Sequence, residues 1–218
     1  MRAGEGRNPE GRLKPLPGLA FLSVDAAADR GGFPPVATSA IDRAQRELGA
    51  TFEERDGWLV PVAIPGEEEH AAVQIADVSH LTKLELRPVG APIEGEGVIW
   101  CEISPRRALV MCAPSLGSSV REQAGERFSL DVTSAYSVLA IVGPEAETVL
   151  RRMTHIHHFP SGGEIAHVQG HVLQRDGGDW VICAQELGHY VWEVAVDRAS
   201  ALGGGPIGVD ALPSGARP

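Results

Sequence analysis

The second half of the chain carries an alternation of strand and helix signals that strongly restricts its fold. The apolar run 137–142 predicts a buried strand, and Gly143-Pro144 ends it and begins a helix. Glutamates in the first turn of this helix and Arg151-Arg152 in its last turn suit the helix dipole. Three strands and a second helix follow, at 164–168, 171–175, 180–184 and 187–203, with Gly170 and Gly177-Gly178 as turns. This order predicts an α+β fold with antiparallel sheets and segregated helices.

The first half predicts one helix and then a series of short strands. Ser39 is the expected N-cap of a helix at 39–48, and Gly49 ends it. Ile41, Ala44 and Leu48 fall on one face of this helix. Alternating apolar residues then predict an antiparallel meander, with strands at 51–54 and 58–62, near 84–86, 98–103 and 109–111, and at 128–132, and a short helix at 115–122.

These signals divide the chain into four segments. Residues 1–37 are rich in Gly, Pro, Arg and Asp without a sustained apolar period, so we expect a disordered tail. Residues 38–134 form a first α+β unit, and residues 135–212 form a second, ferredoxin-like α+β unit. Residues 213–218 are expected to be a short tail.

Charge and hydropathy exclude several classes of function. The formal net charge of −10 repels nucleic-acid phosphates and anionic lipid headgroups, so no nucleic acid and no membrane is expected as a partner. No apolar run approaches the ~20 residues that span a bilayer, and no apolar signal core follows the first residues. We therefore expect a cytoplasmic protein.

The metal-binding and thiol side chains do not form a recognisable motif. Cys101, Cys112 and Cys183 lie in apolar strand contexts without zinc or redox spacing, and buried free thiols are expected. The histidines at 155, 157, 158, 167 and 171 lack accompanying cysteines or carboxylates at ligand spacing. We expect no metal site, and the histidines are expected to be solvated or to line a cavity.

Two groups of motifs resemble one known family. A helix, Gly49-Ala50, a Gly-Trp-x-x-Pro turn at 57–61, Glu-Glu-His at 68–70 and Asp-x-Ser-His-x-x-Lys at 77–83 follow in the order found in the aminomethyltransferases, the folate-binding T-proteins of the glycine cleavage system. Gly-Pro-x-Ala at 143–146 and the ending at 205–212 resemble the same family. The similarity covers residues 39–212, and the chain stops where the longer relatives continue into a carboxy-terminal barrel.

The resemblance implies a T-protein-like folate-binding fold and tetrahydrofolate as a cofactor. In the family one carboxylate lies near the reacting nitrogen, and a glutamate holds the pterin ring through charge-assisted hydrogen bonds. Here the strand expected to carry the first carboxylate offers Glu102, and Trp180 stands at the position of the pterin glutamate. No catalytic residue is assigned.

Four further polar residues are candidates for the folate site. Asp77, Ser79, His80 and Lys83 belong to the string that carries the resemblance, and they are expected to line the cavity with Glu102 and Trp180. Polar side chains at the start of a strand also satisfy local backbone groups, so a structural role is the alternative.

Two functions are compatible with these observations. One is a folate-binding, aminomethyltransferase-related protein of glycine, sarcosine or methylated-amine metabolism, with the orienting carboxylates out of place. The alternative is a non-catalytic subunit that resembles the gamma subunit of heterotetrameric sarcosine oxidase, through the string 130–146. Its partner is then a flavin-containing amine oxidase subunit or a second copy, and the contact is expected around Tyr190, Val191 and Trp192.

Overall fold

The computed structural model describes residues 36–158, 160–175 and 177–216. The predicted disordered tail, except for residues 36 and 37, lies outside the described residues. Four α-helices occur in the described part of the chain: α1 (Asp42–Glu47), α2 (Gly117–Ala124), α3 (Ala146–Arg151) and α4 (Gly188–Ser200). The strands are β1 (Thr51–Arg55), β2 (Trp58–Ala63), β3 (Gln74–Asp77), β4 (Thr82–Arg87), β5 (Val98–Ser104), β6 (Arg107–Cys112), β7 (Phe128–Asp131), β8 (Tyr136–Val142), β9 (Ser161–Ile165), β10 (Val168–Arg175), β11 (Gly178–Ala184) and β12 (Gly205–Ile207).

Most of these strands form two larger sheets. The first has six strands in the order β12-β3-β8-β11-β10-β9, and the second has four in the order β5-β6-β4-β7. Pairing is antiparallel throughout, except that β12 lies parallel to β3. Strands β1 and β2 form a separate hairpin. The predicted α+β fold with antiparallel sheets is confirmed, with one parallel pair added.

The sheets and helices stack in layers around three apolar clusters. The helices α1, α3 and α4 cover one face of the six-stranded sheet, where Ile75, Leu139 and Ile141 are fully buried. The other face packs on the four-stranded sheet through a cluster that includes Trp180 and Met111. Helix α2 covers the outer face of the four-stranded sheet. The side chains of β8 and β11 alternate between two apolar layers, which explains why 138–142 and 180–184 are continuous apolar runs.

The six-stranded sheet contains strands from both halves of the chain. Strand β3, from the predicted first unit, pairs with β8, with Ile75 opposite Ile141. The described residues from Ala37 onward accordingly form one compact unit. Ala37, assigned to the tail by prediction, bridges to Trp58. Ala216, predicted to lie in the carboxy-terminal tail, is fully buried in the cluster between the two sheets.

Three local predictions were wrong. Helix α1 begins at Asp42, and Ser39 caps none of its N–H groups but accepts a hydrogen bond from the Ile41 N–H. Leu48, predicted to share a helix face with Ile41 and Ala44, is 43% exposed, whereas Ile41 is fully buried. The hairpin between β9 and β10 turns at Ala166 and His167 rather than at Gly170.

Candidate functional site

An open cavity of about 830 Å³ lies where the β1–β2 hairpin, the β3–β4 turn and the segment after β7 meet. Its volume falls in the range of small-molecule sites. Polar and aromatic groups converge on it, including an imidazole, two carboxylates and several hydroxyls. The lining residues are Ala37, Asp56, Trp58, His80, Thr82, Pro114 and residues 130–135.

Lys83 supports one wall of this cavity from inside. Its side chain is fully buried, and Nζ donates to the carbonyl oxygens of Ser79 (2.7 Å), Leu81 (3.0 Å) and Thr133 (3.0 Å). Burial lowers the pKa of Lys83 to about 7, whereas the three carbonyl acceptors favour the charged ammonium. Lys83 therefore fastens the β3–β4 turn to the segment after β7, and no part of it is exposed to a ligand.

Asp77 is also engaged by the protein itself. One carboxylate oxygen accepts the Ser39 hydroxyl at 2.5 Å and the Gln45 amide at 3.4 Å, and the other accepts the Ser79 N–H at 3.0 Å. Asp77 is 1% exposed. It joins the segment before α1 to the end of β3 and fixes the turn that presents His80.

The adjacent residues Ser79 and His80 face different surroundings. The Ser79 hydroxyl is buried and accepts the Val138 N–H at 3.0 Å, which ties the turn to β8. His80 lines the cavity, and burial lowers the pKa of its imidazole to about 4. At neutral pH the ring is uncharged, so it offers a ligand one hydrogen-bond donor and one acceptor.

The structure brings neither Glu102 nor Trp180 to this cavity. Glu102 is exposed on β5, opposite Ala108 of β6. Trp180 is 0% exposed on β11, and the Arg175 guanidinium lies 5.0 Å from its ring centroid. The six predicted site residues therefore separate into one cavity residue, three buried supports, one surface residue and one core residue.

Asp131, Thr133 and Asp56 also line the cavity, although the sequence did not predict them as site residues. Burial opposes ionisation of Asp131, but hydrogen bonds from Thr133 and the Arg121 guanidinium lower the pKa of its carboxyl. The string Asp131-Val132-Thr133-Ser134 was available as a signal, because it carries the oxidase-like resemblance. Its position at the cavity that His80 also lines depends on the pairing of β7 with β4, which the sequence does not specify.

The described residues contain neither an exposed cysteine nor a metal-binding cluster nor a helix that could span a membrane. The three cysteines are buried and free, as predicted, and burial raises the pKa of Cys101 and Cys183 to about 12. No group of three or more His, Cys, Asp or Glu side chains in residues 36–158, 160–175 and 177–216 is arranged to hold a metal ion. Within the same ranges, no helix is long and apolar enough to cross a membrane.

Comparison with known proteins gives two kinds of relative. In sequence, the chain is 25% identical over 225 aligned positions to a probable aminomethyltransferase of Aeropyrum pernix, covering 78% of this chain and 60% of that protein. A stretch of 63 residues is 43% identical to an aminomethyltransferase of Mycobacterium leprae, which is 27% of this chain and 17% of that protein. No family model matches the chain.

In structure, the chain matches the glycine cleavage aminomethyltransferase T of Bartonella henselae with a TM-score of 0.62 at 15% identity. This match covers 81% of the chain and 60% of the Bartonella protein. A chain of the heterotetrameric sarcosine oxidase of Corynebacterium sp. U-96 matches with a TM-score of 0.57 at 15% identity, over 76% of this chain and 95% of that one.

These matches define the class to which the fold belongs. The protein has the folate-binding fold of glycine cleavage T-proteins, shared with a sarcosine oxidase chain, and the predicted resemblance is confirmed. The chain spans about 60% of the length of the aminomethyltransferases that it matches over most of its own length.

Proposed function

We propose that the protein is a non-catalytic subunit of a heteromeric sarcosine or related amine oxidase, located in the cytoplasm. The observation that carries this proposal is the burial of Trp180. The residue stands where the resemblance puts the pterin glutamate, and it lies in the same apolar cluster as Cys101 and Leu109 between the two sheets. A pterin ring has neither space nor a carboxylate partner at that position.

The second carboxylate expected at the folate site, that of Glu102, lies on the surface of the protein and does not line the cavity. Its side chain lies on the surface of β5, whereas Trp180 lies in the core, so the two positions do not frame a common site. Positioning and electrostatic stabilisation supply much of the rate in enzymes, and neither is provided here. We therefore expect no aminomethyl transfer by the protein alone.

The proposed partner is a flavin-containing oxidase subunit. We propose that it contacts a different surface from the helix around Tyr190 that the sequence predicted. Val191 is fully buried and Trp192 is 2% exposed, so the helix around Tyr190 offers little apolar surface. Phe128 (56% exposed) and Leu130 (46% exposed) lie instead on β7, at the edge of the four-stranded sheet. An edge strand with exposed apolar side chains is suited to contact with another chain. The 95% coverage of the oxidase chain agrees with a subunit role.

Affinity purification from the native host tests this proposal. We expect the tagged protein to recover a polypeptide with flavin absorbance, and Phe128→Ser to reduce that recovery at least tenfold. Leu48→Ser is the matched control, because Leu48 is similarly exposed but lies next to α1. Recovery of a second copy alone would contradict the subunit role. A strict monomer at high concentration, together with a purification that recovers no flavoprotein, would also contradict it.

A second function is favoured by the cavity beside His80. Its volume, the uncharged imidazole and the carboxylates of Asp56 and Asp131 are suited to a heterocyclic ligand such as tetrahydrofolate. A ligand at a hundred times its Kd adds about 2.7 kcal/mol to the free energy of unfolding. If the cavity binds tetrahydrofolate, this ligand raises the melting temperature of the wild type but not that of His80→Ala. If the cavity does not bind it, the melting temperature of neither protein changes.

A further inference from the structure

A second cavity, of about 410 Å³, lies on the helical side of the six-stranded sheet. It is bounded by the end of α3, the β9–β10 turn and one side of α4. Its lining is Arg151, Arg152, Met153, Thr154, His155, Glu164, Ala166, His167, Tyr190, Val194 and Arg198. None of these residues lines the cavity beside His80, so the inference is independent of the proposed function.

The lining of this cavity is cationic in a chain of net charge −10. Three guanidinium groups face one carboxylate, that of Glu164, which contacts His167 at 3.2 Å. Arg151 is bound to Glu147 at 2.6 Å and Arg198 to Asp197.

Arg152 differs from the other two arginines. Its side chain has no hydrogen-bond or ion-pair partner among the residues that the structure describes, and the same is true of the His155 side chain. Two cationic or hydrogen-bonding groups are therefore available at this cavity.

Hydrogen bonds join the segment after α3 to the β9–β10 hairpin, and both line the cavity. Thr154 bridges to Ile165, its hydroxyl donates to the Glu164 carbonyl at 2.5 Å, and the Ala166 N–H donates to the Met153 carbonyl at 2.7 Å. Ala166 and His167 both adopt left-handed backbone conformations, with φ of 50° and 65°. Such conformations are unfavourable for residues other than glycine, and they are found more often at functional sites.

Arginines at the end of a helix also have a purely local explanation. Arg151 and Arg152 oppose the negative pole of α3, which stabilises the helix without any ligand. Arg198 likewise lies in the last turn of its own helix, α4, and opposes the negative pole there. The dipole of each helix does not explain why the arginines of both helices line the same cavity. Guanidinium groups from two helices and an imidazole from the intervening segment thus surround one space.

We propose that this cavity binds a small molecule with a dianionic phosphate group. Arg152, Arg198 and His155 supply donors to the phosphate oxygens, because guanidinium groups form charge-assisted, forked hydrogen bonds with phosphate. A phosphate alone is much smaller than the cavity, and Met153, Val194 and the Tyr190 ring provide an apolar wall for the organic part. The ligand class is therefore a phosphate monoester of a small metabolite.

Isothermal titration calorimetry of the full chain at low ionic strength tests the proposal, with glycerol 3-phosphate, inorganic phosphate and citrate as probes. We expect saturable binding of glycerol 3-phosphate, weaker binding of inorganic phosphate, and at least about tenfold weaker binding in Arg152→Gln and in Arg198→Gln. Arg106→Gln makes the same charge change at the exposed β5–β6 turn and should leave the affinity within about twofold.

Several results would overturn the site. Absence of binding by any phosphate, equal binding in Arg152→Gln and the wild type, or an equal loss in Arg106→Gln would each do so. Citrate binding with no response to phosphate monoesters would reject the ligand class. Because the substituted side chains are exposed, the thermal transition of each variant should stay near that of the wild type, which separates lost binding from lost folding.

Discussion

Replacement of Trp180 by glutamate tests the central argument about function. The change installs the acid that the resemblance expects at this position. If residue 180 faced a water-filled folate cavity, a glutamate there would be solvated and the protein would tolerate it. In the structure the side chain is 0% exposed and belongs to the cluster between the two sheets.

The magnitude follows from the area that the indole buries. A tryptophan side chain buries about 150–250 Å², which at ~25 cal/mol per Å² is worth about 4–6 kcal/mol. The two methylenes of glutamate recover about 1.6 kcal/mol of this. The buried carboxyl adds a further cost, which the guanidinium of Arg175 offsets in part. We expect a net loss of at least about 3 kcal/mol in the free energy of unfolding.

Urea unfolding and calorimetry measure this loss. For a domain of this size about 3 kcal/mol corresponds to a fall of roughly 6–12 °C in Tm. Trp180→Phe is the matched control: it keeps an aromatic ring and removes an indole N–H that has no hydrogen-bond partner among the described residues, so it should cost under about 1.5 kcal/mol. A loss below about 1 kcal/mol for Trp180→Glu would refute the filled core and restore the pterin site.

Three further changes follow from the contacts around the site. Lys83→Met should lower the free energy of unfolding by about 3 kcal/mol, because three carbonyl oxygens lose their donor at about 1 kcal/mol each; a loss under about 1 kcal/mol in urea would contradict this role. Acidification should destabilise the protein between pH 6.5 and about 4, because the folded pKa of His80 lies below its unfolded value and the unfolded state binds the proton first. His80→Gln should flatten that part of a pH–stability profile, and an unchanged slope would count against the assignment. Gly208→Ala should cost several kcal/mol or prevent folding, since the added Cβ would lie 2.1 Å from the Val62 carbonyl oxygen. Gly95→Ala, whose Cβ meets only a side chain, is its control by thermal denaturation, and equal stability of the two variants would reject the argument.

Segments with a strong local signal were predicted correctly from the sequence. The apolar run that ends at Gly143 is β8, and the helix expected after Pro144 is α3. The prediction succeeded because burial of a whole strand and the preferences of helix ends are properties of neighbouring residues. The turn between β9 and β10 was predicted at Gly170 because glycine is the local signal for a turn. It lies at Ala166 and His167, which adopt left-handed conformations without being typical turn residues.

The roles of the site residues were decided by contacts between distant parts of the chain. Asp77 is bound by Ser39 and Ser79 by Val138, which are 38 and 59 positions away in the sequence. The sequence placed a group of polar residues at the start of β4, but it left open whether they face a ligand or the backbone. In the tertiary structure, all of them except His80 are buried and bound by other groups of the protein.

The sequence by itself determined the fold class and the family resemblance, because both depend on the order of apolar segments and turns along the chain. It did not determine that Trp180 points into the core or that Asp131 and His80 line the same cavity. Those facts require the register of β11 on β8 and of β7 on β4, which is set when the sheets pair and pack. A side chain's access to a cavity is a property of that packing, so only the tertiary structure separates a ligand-binding residue from a structural one.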